Sequence, residues 1–394
     1  MNSVSENPTH SRSEDAAASA TVPDGGPMPI KDAPIGGQAV LEGVMMRGVS
    51  TWAVAVRKPV PEAPEEGSAN GAASGPTNGA SPSATNRAVS TATNGATPGA
   101  PNRATPTASS ANGRTPSEAP LGEIEVTVEP LVAWTKNHRV LRLPIIRGVA
   151  ALVQSLGLGF RALGVSANAQ LEDDQPEIGG ATWAGTIALS LMLGIGLFFL
   201  LPVGITTLFR DVIPNSVVFV IVEKIIRIGI FLGYILLISR MKDLQRVFEY
   251  HGAEHKTISC YEAGLPLTPE NAQRFSRLHP RCGTSFLLIV MMVAIVVFAP
   301  LGTPAWYWLF ASRIIGIPLV AGIAFEVLKW FGKNRHRAVA RALMWPGMQL
   351  QRLTTRQPDL TQLAVAIAAL EAVLAVENPT EASEEDRVGM DVVA

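Results

Sequence analysis

The chain has 394 residues, of which 47% are hydrophobic and 16% are charged, and its mean hydropathy is +0.23. Because soluble domains are usually ~25% charged, this composition predicts a membrane protein. The net charge is −1 and the basic residues are scattered, which excludes the concentrated basic stripe of a nucleic-acid-binding protein. Two cysteines are too few for a secreted disulfide framework, so we expect reduced thiols.

Three segments have compositions that predict disorder. Residues 1–33 are rich in Ser, Ala, Pro and acidic residues, and they carry no apolar run that would serve as a signal peptide. Residues 60–120 are almost entirely Pro, Gly, Ala, Ser, Thr and Asn. We interpret them as a spacer inserted into a hairpin, with a partner-binding repeat as the alternative. Residues 377–394 form an acidic tail.

The remaining N-terminal part predicts a small amount of β structure. The run GGQAVLEGVMMRG at residues 36–48 favours tight turns and close packing, or an anion-binding nest at its first two glycines. Residues 51–57 are rich in β-branched and aromatic side chains and predict a strand, with the alternating residues 124–129 as its partner. Residues 134–169 mix basic and apolar side chains, which is typical of a helix in the membrane interface.

Four apolar segments reach or approach the ~20 residues that span a bilayer. They are residues 182–209, 216–239, 285–301 and 306–328. The second contains Glu223, Lys224 and Arg227, which predict a paired stripe facing the protein, with a polar transport pathway as the alternative.

The distribution of Lys and Arg predicts the orientation of these spans. Residues 240–284 contain seven basic residues, whereas the connections 210–215 and 302–305 contain one between them. The 240–284 loop and both termini are therefore expected on the cytoplasmic side.

Beyond the last span, residues 335–353 predict a helix at the membrane surface, and Pro358 predicts the first position of another helix. The predicted segments are 1–33, 34–59, 60–120, 121–180, 181–239, 240–284, 285–328, 329–376 and 377–394.

The 240–284 loop holds the residues best suited to chemistry. On a helix, His251 and His255 share one face, with Glu254 one step round from them. This H-x-x-E-H order is typical of inverted zinc peptidases, in which the imidazoles bind the metal and the carboxylate acts on water. The alternative is a polar patch where a helix meets the membrane.

A catalytic zinc site needs a third protein ligand. His279 and Cys282 lie at the far end of the same loop. Glu262 lies seven residues after His255, on the same helical face if the helix continues that far. We favour His279 and rank Cys282 next; a site that used all four His and Cys groups would be structural. The predicted cofactor is zinc or another divalent transition metal.

Four separated motifs also resemble one family. They are GGQAVLEGVMMRG at 36–48, YHGAEHK at 250–256, HPRCGTS at 279–285 and LTTRQPD at 353–359. Together they resemble the YqhQ-like family of bacterial membrane proteins, a domain of unknown function that is sometimes labelled a predicted metal-dependent enzyme. The resemblance implies the bacterial inner membrane as the location, and the 60–120 insertion departs from the compact family pattern.

The sequence thus predicts a mainly α, polytopic membrane protein with a small cytoplasmic domain that contains some β structure. Its first functional hypothesis is a metal-dependent hydrolase with Glu254 as the catalytic residue. The second is a non-enzymatic assembly protein with a structural metal or none, and a transporter is the third. The expected partners are the lipid bilayer and an unidentified protein or small molecule, with the oligomeric state left open.

Overall fold

The computed structural model describes residues 33–60, 121–131, 139–171, 176, 178–213, 215–280, 282–301, 306–334 and 337–378. The disorder predicted for residues 1–33, 60–120 and 377–394 lies almost wholly outside these ranges. By its contacts the chain divides into Met1–Pro59 with Gly122–Ala394, which is the unit analysed below, and Val60–Leu121.

The secondary structure is mainly helical. The strands are β1 (Gly36–Val40), β2 (Gly43–Arg47), β3 (Thr51–Arg57) and β4 (Ile124–Pro130). The helices are α1 (Ile146–Ala169), α2 (Gly180–Thr207), α3 (Ser216–Ile238), α4 (Lys242–Glu262), α5 (Pro269–Gln273), α6 (Gly283–Phe298), α7 (Trp306–Lys333), α8 (Ala338–Thr354) and α9 (Leu360–Leu374).

The strands form one antiparallel sheet in the order β1-β2-β3-β4. The predicted pairing of the third and fourth strands is confirmed, with Arg57 opposite Ile124. The glycine-rich run, expected to form turns, is instead the hairpin β1–β2, in which Gly37 lies opposite Met46. Its glycines allow close approach of neighbouring chain, since a Cβ atom at Gly43 would overlap the carbonyl oxygen of Ala55. The hairpin turns at Glu42, which has a φ of 48°.

Helices cover both faces of the sheet. Helices α4 and α9 pack on one face, and α1 packs on the other. The first core contains Val44, Met46, Ala53, Ala55, Tyr250, Ala253, Leu363, Ala366 and Leu370. The second contains Met45, Trp52, Val54, Leu158 and Ala162. Burial on both faces explains why the central residues of β2 and β3 are continuously apolar rather than alternating, with the polar residues Arg47, Thr51 and Arg57 at the strand ends.

Helix α9 begins at Leu360, two residues later than the sequence predicted. Asp359 is its N-cap, and Pro358 lies before the helix rather than at its first position. The carboxylate of Asp359 accepts a hydrogen bond from the backbone N–H of Gln362 at 2.7 Å, and the Gln362 side chain accepts one from the backbone of Asp359 at 3.0 Å. This reciprocal capping box determines where the helix starts.

Within the described residues, four helical stretches are long and apolar enough to cross a bilayer: Ile146–Ala169, Gly180–Thr207, Gly283–Leu301 and Ile314–Phe331. The chain is therefore a polytopic helical membrane protein, as predicted. The set differs from the prediction by one member. It includes α1, which we expected in the interface, and omits α3, which contains the three charged residues Glu223, Lys224 and Arg227.

Helix α1 contacts both a membrane-spanning helix and the sheet. Its first turns pack against α7, where Arg147 pairs with Glu326 at 2.5 Å. Further along, Arg161 pairs with Glu129 of β4 at 2.5 Å and lies over the ring of Trp52. Helix α1 therefore connects a membrane-spanning helix to the sheet, with one arginine in each half, Arg147 and Arg161.

The charges of α3 are paired inside the protein, as their spacing predicts. Glu223 accepts hydrogen bonds from both Lys224 and Arg227. Glu223 and Lys224 are buried, and the guanidinium of Arg227 lies 4.9 Å from the centre of the Phe199 ring in α2. Mutual neutralisation lowers the cost of keeping such groups in an apolar helix.

Candidate metal centre

Helix α4 places the two imidazoles of the H-x-x-E-H motif side by side. Asp243 lies in its first turn, where a negative charge interacts favourably with the helix dipole. His251 and His255 are four residues apart and project from one face, with ring centroids 4.5 Å apart. His255 is fully buried, whereas His251 is partly exposed.

Cys282 completes a three-residue cluster with these histidines. It is the N-cap of α6, and its Sγ atom accepts a hydrogen bond from the backbone N–H of Thr284 at 3.5 Å. This capping role directs the thiol back toward α4, where Sγ lies 3.2 Å from Nε2 of His251. One ligand atom from each of His251, His255 and Cys282 lies within 4.8 Å of the others.

Backbone carbonyl groups determine which imidazole nitrogen is available. Nδ1 of His251 donates to the carbonyl oxygen of Thr354 at 2.8 Å, and Nδ1 of His255 donates to that of Arg277 at 2.5 Å. A carbonyl oxygen only accepts, so both Nδ1 atoms carry hydrogen and both Nε2 atoms remain for another partner. Within the described chain, Nε2 of His255 makes no hydrogen bond. This arrangement of outer hydrogen bonds is common to histidines that bind metals.

The charges of Cys282 and His251 stabilise each other. Burial by itself raises the pKa of the Cys282 thiol, but the electrostatic and hydrogen-bonding interactions with His251 and His255 outweigh burial and hold that pKa well below its ordinary value. Burial by itself lowers the pKa of His251, but the adjacent Cys282 thiolate raises it to about 9. The lowered pKa favours the thiolate form of Cys282, which is the form that binds metals.

Glu254 lies beside the cluster with its carboxylate buried. It is 1% exposed, and Oε1 has no hydrogen-bond partner in the described part of the chain. Burial raises the pKa of Glu254, while the two imidazoles act in the opposite direction. Gly37 of β1 makes room for this side chain, because a Cβ atom there would lie 2.7 Å from Cγ of Glu254.

The four motifs meet around α4. Glu42 of the first motif accepts hydrogen bonds from Arg246 and, at 3.3 Å, from Tyr250. The LTTRQPD motif contributes the carbonyl oxygen that binds His251, and its Arg356 donates to the carbonyl oxygen of Phe248 at 2.8 Å. Gly252 permits this close approach, because a Cβ atom there would overlap the carbonyl oxygen of Arg356.

The structure differs from the ligand set that we favoured. His279 is not a member of the three-residue cluster; its Nε2 lies 3.6 Å from Oε2 of Glu262, and its ring centroid lies 5.7 Å from that of His255. The reason is local: Gln351 binds both backbone groups of His279, at 2.9 and 2.8 Å, whereas Cys282 is turned toward α4 by its capping role. Glu262 also lies outside the cluster.

Sequence reasoning missed the residues that hold the site together. The carbonyl groups of Thr354 and Arg277 and the buried amide of Gln351 were given no role. The LTTRQPD motif was the available signal for Thr354. A backbone carbonyl is not specified by residue type, so no pattern predicts that it will bind an imidazole.

Comparisons with known proteins agree on the family. A family model described as a protein of unknown function, DUF1385, matches residues 143–376. The chain is 34% identical over 276 residues to the uncharacterized protein YqhQ of Bacillus subtilis (strain 168), an alignment that covers 67% of this chain and 87% of that protein. No solved structure matches the chain. The chain therefore belongs to the DUF1385 family of proteins of unknown function.

Proposed function

We propose that His251, His255 and Cys282 bind a divalent transition metal, with zinc the foremost candidate, and that the protein is a metal-dependent hydrolase at the cytoplasmic membrane face. The observation that carries the proposal is the orientation of the two imidazoles. Both Nδ1 atoms are bound by backbone carbonyls, so both Nε2 atoms are available beside the Cys282 thiolate.

The donor set favours zinc. Two imidazole nitrogens and one thiolate are ligands of intermediate softness, which suit zinc better than magnesium or calcium. Three protein ligands leave a fourth tetrahedral position for water or substrate, as in catalytic zinc sites. A metal in such a site supplies Lewis acidity that lowers the pKa of water and polarises a scissile carbonyl or phosphoryl group.

Glu254 supplies the acid–base function. Burial raises the pKa of its carboxyl group, which makes the carboxylate a stronger acceptor of a proton from water. Gly37 leaves the space that the carboxylate occupies, because a Cβ atom there would lie 2.9 Å from Oε1 of Glu254. The partly exposed face of the cluster is at His251, so substrate approaches from that side.

The position of the cluster supports activity next to the bilayer. Cys282 directly precedes the apolar stretch Gly283–Leu301, and α4 begins shortly after α3 ends. The basic residues of the 240–284 loop favour the cytoplasmic side. A peptide, a lipid and a nucleotide-linked compound all remain substrate classes for such a site.

One observation favours a second candidate, a structural metal in a non-enzymatic assembly protein. His255 and Cys282 are 0% and 1% exposed, and closed sites are typical of structural zinc. The two candidates differ in what Glu254 does, because a structural site does not need a proton acceptor.

Metal content of the full-length, detergent-purified protein tests both. We expect a stoichiometric transition metal in wild type and its loss in the His251→Ala/His255→Ala double variant. His279→Ala is the matched control, since His279 lies outside the cluster, and it should keep the metal. Glu254→Gln should keep the metal and lose function if the protein is a hydrolase. A folded wild-type protein that binds no metal after incubation with zinc or another divalent transition metal would contradict the proposal.

A further inference from the structure

A cleft lies between the start of α1 and the second half of α7, away from the metal centre. Its volume is about 410 Å3. The lining consists of Pro144, Ile145, Ile323, Glu326, Val327 and Trp330. Five of these side chains are apolar, so an aliphatic occupant fits the cleft better than water does.

The backbone at the edge of this cleft is held in an uncommon conformation. Ile145 has a φ of 71°, which is unfavourable for a β-branched residue. Close packing maintains it, because a Cβ atom at Gly322 would lie 2.6 Å from the carbonyl oxygen of Ile145. Such conformations concentrate at ligand-binding and functional sites.

The one charged group of the lining is already paired. Both carboxylate oxygens of Glu326 accept hydrogen bonds from Arg147, at 2.7 and 2.5 Å, and Oε1 also receives the backbone N–H of Ile145 at 3.4 Å. The ion pair therefore neutralises the one charged side chain of the lining, and the other lining side chains are apolar.

One wall of the cleft belongs to a stretch that is apolar enough to cross a bilayer. Ile323, Val327 and Trp330 belong to Ile314–Phe331, the part of α7 that is apolar enough to cross a bilayer. Trp330 is 42% exposed at the end of that stretch, where tryptophan commonly marks the membrane interface. Lys333 follows in the last turn on the same helical face as Trp330 and Glu326.

We propose that this cleft binds one acyl chain of an anionic phospholipid, with the head group beside Lys333. The chain fills the apolar walls, and the exposed lysine attracts the negative head group at the membrane surface. The inference is independent of the metal centre, because no residue of the cleft belongs to the His251, His255 and Cys282 cluster.

Lipid retention by the full-length protein provides the first test. Native mass spectrometry in mild detergent, after incubation with phosphatidylglycerol, should show a stoichiometric lipid on wild type. Ile323→Trp fills the cleft and should lose that lipid. The matched control is Ile315→Trp on the same helix, where the native side chain is 71% exposed, and it should retain the lipid. Equal retention by the two variants, or none by wild type, overturns the proposal.

Fluorescence quenching gives a second test that does not depend on how the filled variant folds. Wild type and Trp330→Phe are reconstituted in phosphatidylcholine vesicles doped with acyl-brominated phosphatidylglycerol or acyl-brominated phosphatidylcholine. The Trp330 signal, taken as the difference between the proteins, should be quenched more strongly by the anionic lipid. Equal quenching by the two lipids contradicts the proposal and indicates ordinary contact with the bilayer.

Discussion

Nε2 of His251 and Sγ of Cys282 lie 3.2 Å apart, although 31 residues separate them in the chain. The contact joins the middle of α4 to the N-cap of α6, and so links the histidine motif to the start of a membrane-spanning stretch. The two cysteines therefore have different surroundings. Cys282 lies in the histidine cluster, whereas Sγ of Cys260 contacts the carbonyl oxygen of Pro266 at 3.7 Å, away from the cluster.

Replacing Cys282 should therefore abolish metal binding, whereas replacing Cys260 should not. In Cys282→Ser we expect metal affinity to fall by more than the ~10–100-fold that loss of a supporting hydrogen bond costs. Both cysteines are buried, which makes Cys260→Ser a matched control for packing. Affinity is measured by competition with a chromophoric chelator. Equal affinity in the two variants would show that Cys282 is not a ligand.

Metal binding should also depend on pH through His251. Without metal its pKa is about 9, so at neutral pH Nε2 carries a proton that the metal must displace. We expect affinity to rise roughly tenfold per pH unit below about pH 9 and to level off above it. Calorimetry in buffers of different ionisation enthalpy should find proton release at pH ~7 and little at pH ~10. An affinity that does not change over this range contradicts the proposed ligand.

Gly252→Ala should destabilise the protein. The added methyl group would overlap the carbonyl oxygen of Arg356, a backbone atom that has little freedom to move. Overpacking of this kind costs about 1–3 kcal/mol. Gly157→Ala in α1 is the control, because nothing lies within 4 Å of the new methyl group there. Thermal unfolding, followed by circular dichroism, should show a lower midpoint temperature for Gly252→Ala than for Gly157→Ala. Equal midpoint temperatures in the two variants would refute the tight contact.

Gln351→Leu should weaken the packing of α8 against the loop that carries His279. The Gln351 amide binds the backbone N–H and carbonyl of His279 and, at 3.1 Å, the Ser285 hydroxyl. Leaving buried polar groups without these bonds costs about 1–3 kcal/mol each. Gln357→Leu, at an exposed position, should change the free energy of unfolding by less than about 0.5 kcal/mol. Chemical denaturation compares the two, and similar losses would disprove a special role for Gln351.

Much of the fold follows from local patterns that the sequence displays directly. Apolar runs predicted a membrane protein, alternation and β-branched residues predicted β3 and β4, and the four-residue spacing placed His251 and His255 on one face of α4. The glycine-rich run was harder to predict. Its glycines suggest turns, but burial on both faces of the sheet and close approach of Glu254 make them strand residues.

The sequence by itself determined the membrane class, the main helices and the placement of His251 and His255 on one helical face. Each of these depends on the composition or spacing of residues that are close together in the chain. Only the tertiary structure decided that Cys282, rather than His279, stands beside them, and that carbonyl groups of Thr354 and Arg277 orient the imidazoles. The physical reason is that ligand choice depends on side-chain direction. At residues 279–282 that direction follows from a helix cap and from Gln351, which lies 72 residues further along the chain.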